Sequence, residues 1–485
     1  MESRKRTIKF NLFMNMLLTT SAFIFPLITF PYITRVLQPE GTGKIAFANS
    51  VISYFSMFAL LGIPTYGIRA CAQVRDDKDK LSKTAQEIWI LNFITTIIAS
   101  AAFVGALICV PRFREEHILM LVCSTTLILN LLAMEWLYKA LECYSYITMR
   151  SLFFKVLAVL LMYLTVKSKG DYIKYAGISV LANTGYGLFN FINLKKYIII
   201  KRYNHYNIKK HLKPVLVFFA MSVATTIYTN LDTTMLGFMK GDIEVGYYDV
   251  AIKIKVILVN LVTSLGVVLL PRISYYVEKK MEKEFWAVSE KALEFVFAIA
   301  IPLIVSFIIM APSCILLLSG ADYLPSITPM RVIMPTLILI GMSNIFGIQI
   351  LVPLGKEKYV LYSEIAGAIA NVIFNMMFIP RYGAAGAAFG TLIAEAVVLA
   401  VQIAVMKKIS FMLIKKVQFF KISGATVGAG IVLLVLYENL KLPIFLLLTV
   451  CFIVFFMVYG ILLLIMKERI AVELVGNILS RLERG

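Results

Sequence analysis

Several basic side chains stand inside or near the ends of long apolar runs: Arg35, Arg69, Arg150, Lys155, Lys253, Lys255 and Arg331. A cation at the centre of a bilayer costs about 2.5–3.5 kcal/mol on insertion scales, so each needs either a use for its charge or a place to hide it. A phosphate or pyrophosphate crossing a low-dielectric region must exchange its hydration shell for guanidinium or ammonium contacts, which is the chemistry a basic interior suits. Lys253 and Lys255 are about 200° apart on a helix, so at most one faces a common cavity, and Lys253 is the better placed. Arg150 and Lys155 fall in the inner half and middle of one run. For the others, and for Lys155 and Lys255 as well, snorkelling to an interface or pairing with a neighbouring helix is the alternative reading. The acidic candidates are Asp232, Asp249, Glu135, Glu364 and Glu395. Asp232 lies in the polar segment Tyr228-Thr-Asn-Leu-Asp-Thr-Thr, where it could pair with Lys253 or bind a coupling ion, and Glu395 is mid-run among apolar residues and Thr391.

The elements that must carry these charges are membrane spans. Of 485 residues, 60% are hydrophobic and 16% charged, and mean hydropathy is +0.84, far above a soluble chain of this length. Apolar runs of about 20 residues, each able to cross roughly 30 Å of hydrocarbon, recur from end to end. Hydropathy and charge punctuation predict about fourteen spans, near 11–34, 43–68, 85–110, 115–138, 144–166, 173–194, 214–239, 245–270, 286–310, 327–351, 358–379, 384–406, 418–437 and 443–466. Cytoplasmic termini put roughly thirty-one Lys and Arg on inner segments against about ten outside, which accounts for most of the net charge of +20. Those inner segments include Arg4 to Lys9, Lys195 to Lys213, Lys407 to Lys421 and the C-terminal tail. A nucleic-acid partner would need one basic face, whereas here the basic residues are spread over many short loops, as anionic headgroups require. The six cysteines are scattered without a C-x-x-C, and the three histidines fall in predicted loops, so neither a metal centre nor a histidine relay is expected. The chain reads as a non-enzyme without a cofactor, with proton or sodium gradient coupling left open.

A shift of about 203 residues sets Gly43 over Gly246, Ala48 over Ala251 and Arg69 over Arg272. Two six-helix lobes, 1–200 and 201–410, then an extra pair with a basic tail, 411–485, satisfy the even span number that a parallel repeat needs. The expected fold is all-α and polytopic, with the lobes in pseudo-twofold arrangement. Gly383-Ala-Ala-Gly-Ala-Ala-Phe-Gly390 presents small residues at helical spacing, suited to close backbone packing.

The chain resembles the polysaccharide or O-antigen flippases (Wzx-like) of the multidrug/oligosaccharidyl-lipid/polysaccharide exporter superfamily. The resemblance rests on Phe30-Pro-Tyr-Ile-Thr-Arg-Val-Leu, Pro39-Glu-Gly-Thr-Gly, Glu135-Trp-Leu-Tyr-Lys-Ala-Leu-Glu142 with Arg150 and Lys155, and Glu244-Val-Gly-Tyr-Tyr-Asp-Val-Ala251 with Lys253. Gln349-Ile-Leu-Val-Pro-Leu-Gly-Lys-Glu-Lys358, Asn371 and Ile379-Pro-Arg-Tyr-Gly-Ala-Ala-Gly-Ala-Ala388 extend it over nearly the whole chain. It implies alternating access around a cationic cavity, acting on a polyprenyl-pyrophosphate-linked oligosaccharide in the bacterial cytoplasmic membrane, with polysaccharide polymerase machinery as a possible partner. It also brings forward Arg35, Asn49, Asp232 and Lys253 as cavity residues. The rivals are a lipid II-type flippase, a multidrug or cation antiporter of the same superfamily, and a membrane glycosyltransferase or polymerase. The last should carry a large polar loop, and no predicted loop exceeds about twenty residues.

Overall fold

The computed structural model describes residues 8–482, so the basic stretch up to residue 7 and the last three tail residues lie outside the described residues. The first helices are α1 (Ile8–Leu60), α2 (Ile63–Ala72), α3 (Lys78–Cys109), α4 (Pro111–Glu115), α5 (His117–Ala133), α6 (Glu135–Ala140), α7 (Tyr144–Thr165), α8 (Tyr172–Thr184), α9 (Gly187–Asn193) and α10 (Lys209–Lys240). They continue with α11 (Asp242–Glu278), α12 (Glu282–Ile309), α13 (Ala311–Leu318), α14 (Ile327–Ile333), α15 (Thr336–Ser343), α16 (Glu357–Met406), α17 (Lys408–Lys416), α18 (Phe419–Asn439), α19 (Ile444–Ile465) and α20 (Arg469–Leu482). No strand occurs among the described residues. The all-α expectation holds, and the chain is a multi-pass membrane protein.

Among the described residues ten helical segments are long and apolar enough to cross a membrane, or eleven with the bent pair Ala321–Ile333 and Thr336–Leu351 taken as one span. That count sits below the expected fourteen for a structural reason. Phe13–Ala72 and Glu357–Met406 each cover two predicted spans, joined through non-helical residues at Gln38 (φ 58°) and Gly383 (φ 54°). The predicted span 173–194 falls on α8 and α9, which are separate short helices. Large apolar side chains such as Leu164, Ile192 and Ile465 are more than two-thirds exposed, an arrangement that suits lipid and not water.

The chain divides into two compact units between Gly246 and Tyr247. In the first, α1 packs along α3, α5, α7 and α10. Leu61 (φ 46°) and Gly62 (φ 73°) break the helix after α1, and the carbonyl of Ala59 just before them accepts from Asn92 Nδ2 at 2.9 Å and Thr95 Oγ1 at 2.6 Å on α3. Glu87, fully buried on α3, accepts from Lys210 Nζ (2.6 Å), the backbone N–H of Asn207 (2.8 Å) and His211 Nε2 (3.0 Å), while Tyr66 and His211 Nδ1 lie 2.6 Å apart. His211 therefore sits buried inside α10, not in a loop as the sequence suggested, because Glu87 gives its imidazole a partner. The other end of α10 leads to Asp242, which pairs with Arg112 at 2.6 Å.

Glycines related by the 203-residue shift meet in this unit. A Cβ on Gly43 would lie 1.7 Å from the Asp242 carbonyl oxygen, and one on Gly246 would lie 2.1 Å from that of Pro39. Pro39 and Asp242 are themselves related by the shift that relates Gly43 to Gly246, so the contact is reciprocal, the mark of a local twofold relation.

In the second unit α12 packs on α15 and α18, α16 packs on α14 and α15, and α18 pairs with α19. Gly386 allows the second half of α16 to approach the Phe378 carbonyl, where a Cβ would come within 2.4 Å, so the small-residue segment packs as expected. Glu290 on α12 holds Lys416 at 2.8 Å and Arg469 at 2.7 Å, tying the ends of α17 and α20 to it.

Gly43→Ala and Gly246→Ala should each cost at least about 1–3 kcal/mol, since the obstructing atoms are backbone carbonyls; thermal unfolding of the detergent-solubilised protein measures this, and the two losses should be similar. Asp171, before α8, accepts from the Lys174 ammonium (2.6 Å), the backbone N–H groups of Lys167 and Ser168 and the Ser168 hydroxyl, and these contacts hold its carboxyl well below the usual carboxylate range. A depressed folded-state value contributes stability above the unfolded pKa, about 4, and loses it as pH falls. Asp171→Asn should therefore be less stable than wild type at pH 7 and level with it as the pH approaches the folded-state value, which paired melting curves across that range would record.

Candidate functional site

Two helix breaks build the site. Met134 takes a left-handed conformation (φ 42°) between α5 and α6, ending one helix at Ala133 and starting the next at Glu135. The Ala133 carbonyl accepts from the buried Asn190 amide of α9. Gly187 permits this approach, for a Cβ there would stand 2.3 Å from the Leu129 carbonyl oxygen. A third tie, from Tyr138 to the Asn190 carbonyl at 2.6 Å, fixes α6 on α9. Together these contacts place Tyr186, in the gap between α8 and α9, beside Glu135: its hydroxyl donates to the Glu135 carboxylate at 2.5 Å.

Arg150 enters this assembly from α7, which is anchored on α1 by the Thr148 hydroxyl donating to the Met14 carbonyl at 2.9 Å. Arg150 is 8% exposed, and its guanidinium lies against three tyrosine rings, at 4.1 Å from the Tyr186 centroid, 5.5 Å from Tyr146 and 5.6 Å from Tyr138. Such cation–π contacts are worth up to about 2 kcal/mol each when desolvated, so the rings offset part of the burial cost. Glu135 contributes less directly: it is 3.8 Å from Nη2, while it holds Lys139 at 2.9 Å. Among the described residues, the buried Nε and Nη1 have no hydrogen-bond partner.

Arg150 lines a cavity of about 160 Å³, together with Glu135, Ser151, Lys155, Asn183 and Tyr186. Lys155 reaches it half-buried, donating to Ser21 Oγ of α1 at 2.9 Å with its ammonium 5.7 Å from the Phe25 ring. The cations that line the void are Arg150 and Lys155, whereas Lys139 is outside the lining and held by Glu135. A guanidinium and an ammonium thus line one space, a pairing of cations that suits a phosphate group.

The structure brings together Arg150 and Lys155 but places the other predicted residues elsewhere. Arg35 is exposed and donates to the Pro31 carbonyl at 2.7 Å, and Asn49 is exposed on the second half of α1. Asp232 is buried on α10. In the second unit, Lys253 is exposed and pairs with Asp249 one turn earlier at 2.5 Å, Lys255 is half-buried, and Glu395 is buried one turn beyond Thr391 on α16. Tyr138, Tyr146, Tyr186 and Ser21 escaped the sequence reading. The spacing of Tyr146 and Arg150, one turn apart on α7, was the one available signal. A second cavity, about 200 Å³, is lined by Glu40, Lys44, Arg112, Glu116 and Asp242. There Lys44 bridges Glu40 and Glu116 at 3.1 and 2.9 Å and Arg112 pairs with Asp242, and with Glu115 also in the lining the carboxylates outnumber the cations, which disfavours an anion.

Residues 8–277 match the family described as "Polysaccharide biosynthesis protein". The chain belongs to that family. Among curated relatives, a candidate O-antigen transporter of Escherichia coli (strain K12) is 22% identical over 400 residues, covering 82% of this chain and 96% of its own length. A second, from Shigella dysenteriae, is 24% identical, covering 80% and 98%. Among solved structures, the lipid II flippase MurJ in an inward closed conformation superposes with a TM-score of 0.75 at 16% identity, over 95% of this chain and 99% of that one. An inward-facing multidrug resistance MATE family transporter gives 0.60 at 16% identity, over 81% and 96%. At these identities the structural likeness shows a shared fold.

Asn190→Ala would leave the Ala133 carbonyl without its amide and should cost about 1–3 kcal/mol. Thermal unfolding measures it against Asn439→Ala at the exposed end of α18, which should stay within about 0.5 kcal/mol of wild type.

Proposed function

We propose that this family member moves a polyprenyl-phosphate- or pyrophosphate-linked oligosaccharide across the membrane by alternating access, for polysaccharide export. The observation that carries this reading is the Arg150 pocket: a guanidinium buried in a membrane-embedded unit with two donors unpartnered, beside a second cation, calls for an anion. The candidate O-antigen transporters among its relatives and the flippase fold agree with it, and a transporter, not an enzyme, is the consistent class. In this reading Arg150 and Lys155 take the phosphate, with Lys253, Lys255, Arg35 and Asn49 contributing to the path. Asp232 or Glu395 supplies coupling to a proton or sodium gradient. The two repeat lobes rock about the path, and the helices beyond 411 guide the lipid tail. The membrane is the bacterial cytoplasmic membrane, both termini are cytoplasmic, and polymerase machinery receives the product.

Lipid II, which also carries a polyprenyl pyrophosphate, is the second reading, favoured by the fold likeness to MurJ. Depletion of the protein separates the two: accumulation of lipid-linked oligosaccharide with loss of surface polysaccharide supports the first, and accumulation of lipid II with lysis supports the second. Unchanged lipid-linked sugar together with altered drug efflux would overturn both. Arg150→Gln, at wild-type abundance, should slow translocation at least about tenfold, equivalent to about 1.4 kcal/mol of lost interaction; Lys155→Gln should slow it less, since its ammonium is already shared with Ser21.

A further inference from the structure

We propose that Tyr186 is a positioning residue that holds Glu135 off Arg150 and so keeps the buried guanidinium open to a phosphate-bearing ligand. The proposal rests on the phosphate reading of the pocket given above. A carboxylate within reach of a buried guanidinium ordinarily closes on it through two parallel N–H···O bonds, the strongest geometry available to the pair. Here it does not. Glu135 stands 3.8 Å from Nη2, beyond hydrogen-bond distance, while one oxygen takes the Tyr186 hydroxyl at 2.5 Å and the other the Lys139 ammonium at 2.9 Å. Both carboxylate oxygens are engaged by groups other than Arg150, and Nε and Nη1 of Arg150 are left over.

Tyr186 performs two separable tasks. Its ring, 4.1 Å from the guanidinium carbon, supports the cation without using any of its N–H donors. Its hydroxyl restrains the competing carboxylate. Glu135 still offsets part of the positive charge from 3.8 Å, so Arg150 is tolerated without a hydrogen-bonded ion pair that a substrate would first have to break. Were the hydroxyl removed, Glu135 would be released on one side and could swing into the fork that the ligand needs.

The two tasks are separated by Tyr186→Phe, which keeps the ring. Binding of inorganic pyrophosphate to the purified full chain in detergent, followed by calorimetry, is the readout. Tyr186→Phe should weaken binding by about fivefold to tenfold, and Glu135→Gln alone should leave it equal or tighter. The double variant Tyr186→Phe/Glu135→Gln should recover wild-type affinity to within about twofold, a rescue that a merely structural role for Tyr186 would not give. If Tyr186→Phe does not accumulate, Lys139→Gln removes the other hold on Glu135 and carries the same expectation and the same rescue. Unchanged binding in the single variant, or weakened binding that Glu135→Gln fails to restore, overturns the positioning role. Arg150→Gln keeps the two ideas apart: if it binds pyrophosphate like wild type, the phosphate reading of the pocket falls, whereas loss of binding there with a normal Tyr186→Phe sinks only the role of Tyr186.

Discussion

The constraint on which the first unit depends is the cost of keeping the Arg150 guanidinium buried without a hydrogen-bonded counter-ion. A hydrophobic residue at that position would need none of what surrounds it. Instead the chain supplies three tyrosine rings, a carboxylate held at 3.8 Å and two helix breaks that bring these groups to one place. Each break leaves backbone to be satisfied, and the Asn190 amide on the Ala133 carbonyl shows how that is done in a region where water is scarce. The polar groups thus form a hierarchy in which Asn190 fixes α9, α9 fixes Tyr186, and Tyr186 fixes Glu135.

A second set of contacts fixes α10. Its N-terminal turn is bound through Glu87, which is fully buried and takes three donors, and its far end leads to the Arg112–Asp242 pair, whose side chains are 25% and 17% exposed. Burial and partner number make the Glu87 cluster the costlier one to break, since removing a partner there strands a charge away from solvent. The Arg112 end is partly solvated. The reciprocal contact of Gly43 and Gly246 lies at that same end, so close backbone packing and an ion pair act together on the turn between α10 and α11.

Much of the fold was legible because hydrocarbon leaves a chain few options: apolar runs of spanning length must be helices, and the shift that set Gly43 over Gly246 pairs residues whose backbones meet. The number of separate helices was less legible. Gln38 and Gly383 join predicted spans through single positive-φ residues, and nothing in composition distinguishes such a kink from a short loop. At the site, Arg150 and Lys155 were visible as charges out of place in an apolar run. The tyrosines were less so, since an aromatic residue in a membrane helix is ordinary: Tyr146 is one helical turn from Arg150, but Tyr138 and Tyr186 reach it only through the breaks at Met134 and Gly185–Tyr186. Glu135 appeared as one acidic candidate among several, and its relation to Arg150 depends on folding across fifteen residues and a third helix.

Arg150 and Lys253 show why charge alone does not define a site. Both were singled out for the same reason, a cation in an apolar run. Lys253 is exposed and satisfied by Asp249 one turn away at 2.5 Å, a local pair that any helix with that spacing can form. Arg150 has a carboxylate nearby, but at 3.8 Å and without a hydrogen bond, its oxygens turned to Tyr186 and Lys139. A paired exposed lysine can exchange partners at little cost, as a residue along a path should. Among the described residues the buried Arg150 has no comparable hydrogen-bonded partner for Nε and Nη1, so its burial is offset by rings and a distant carboxylate alone.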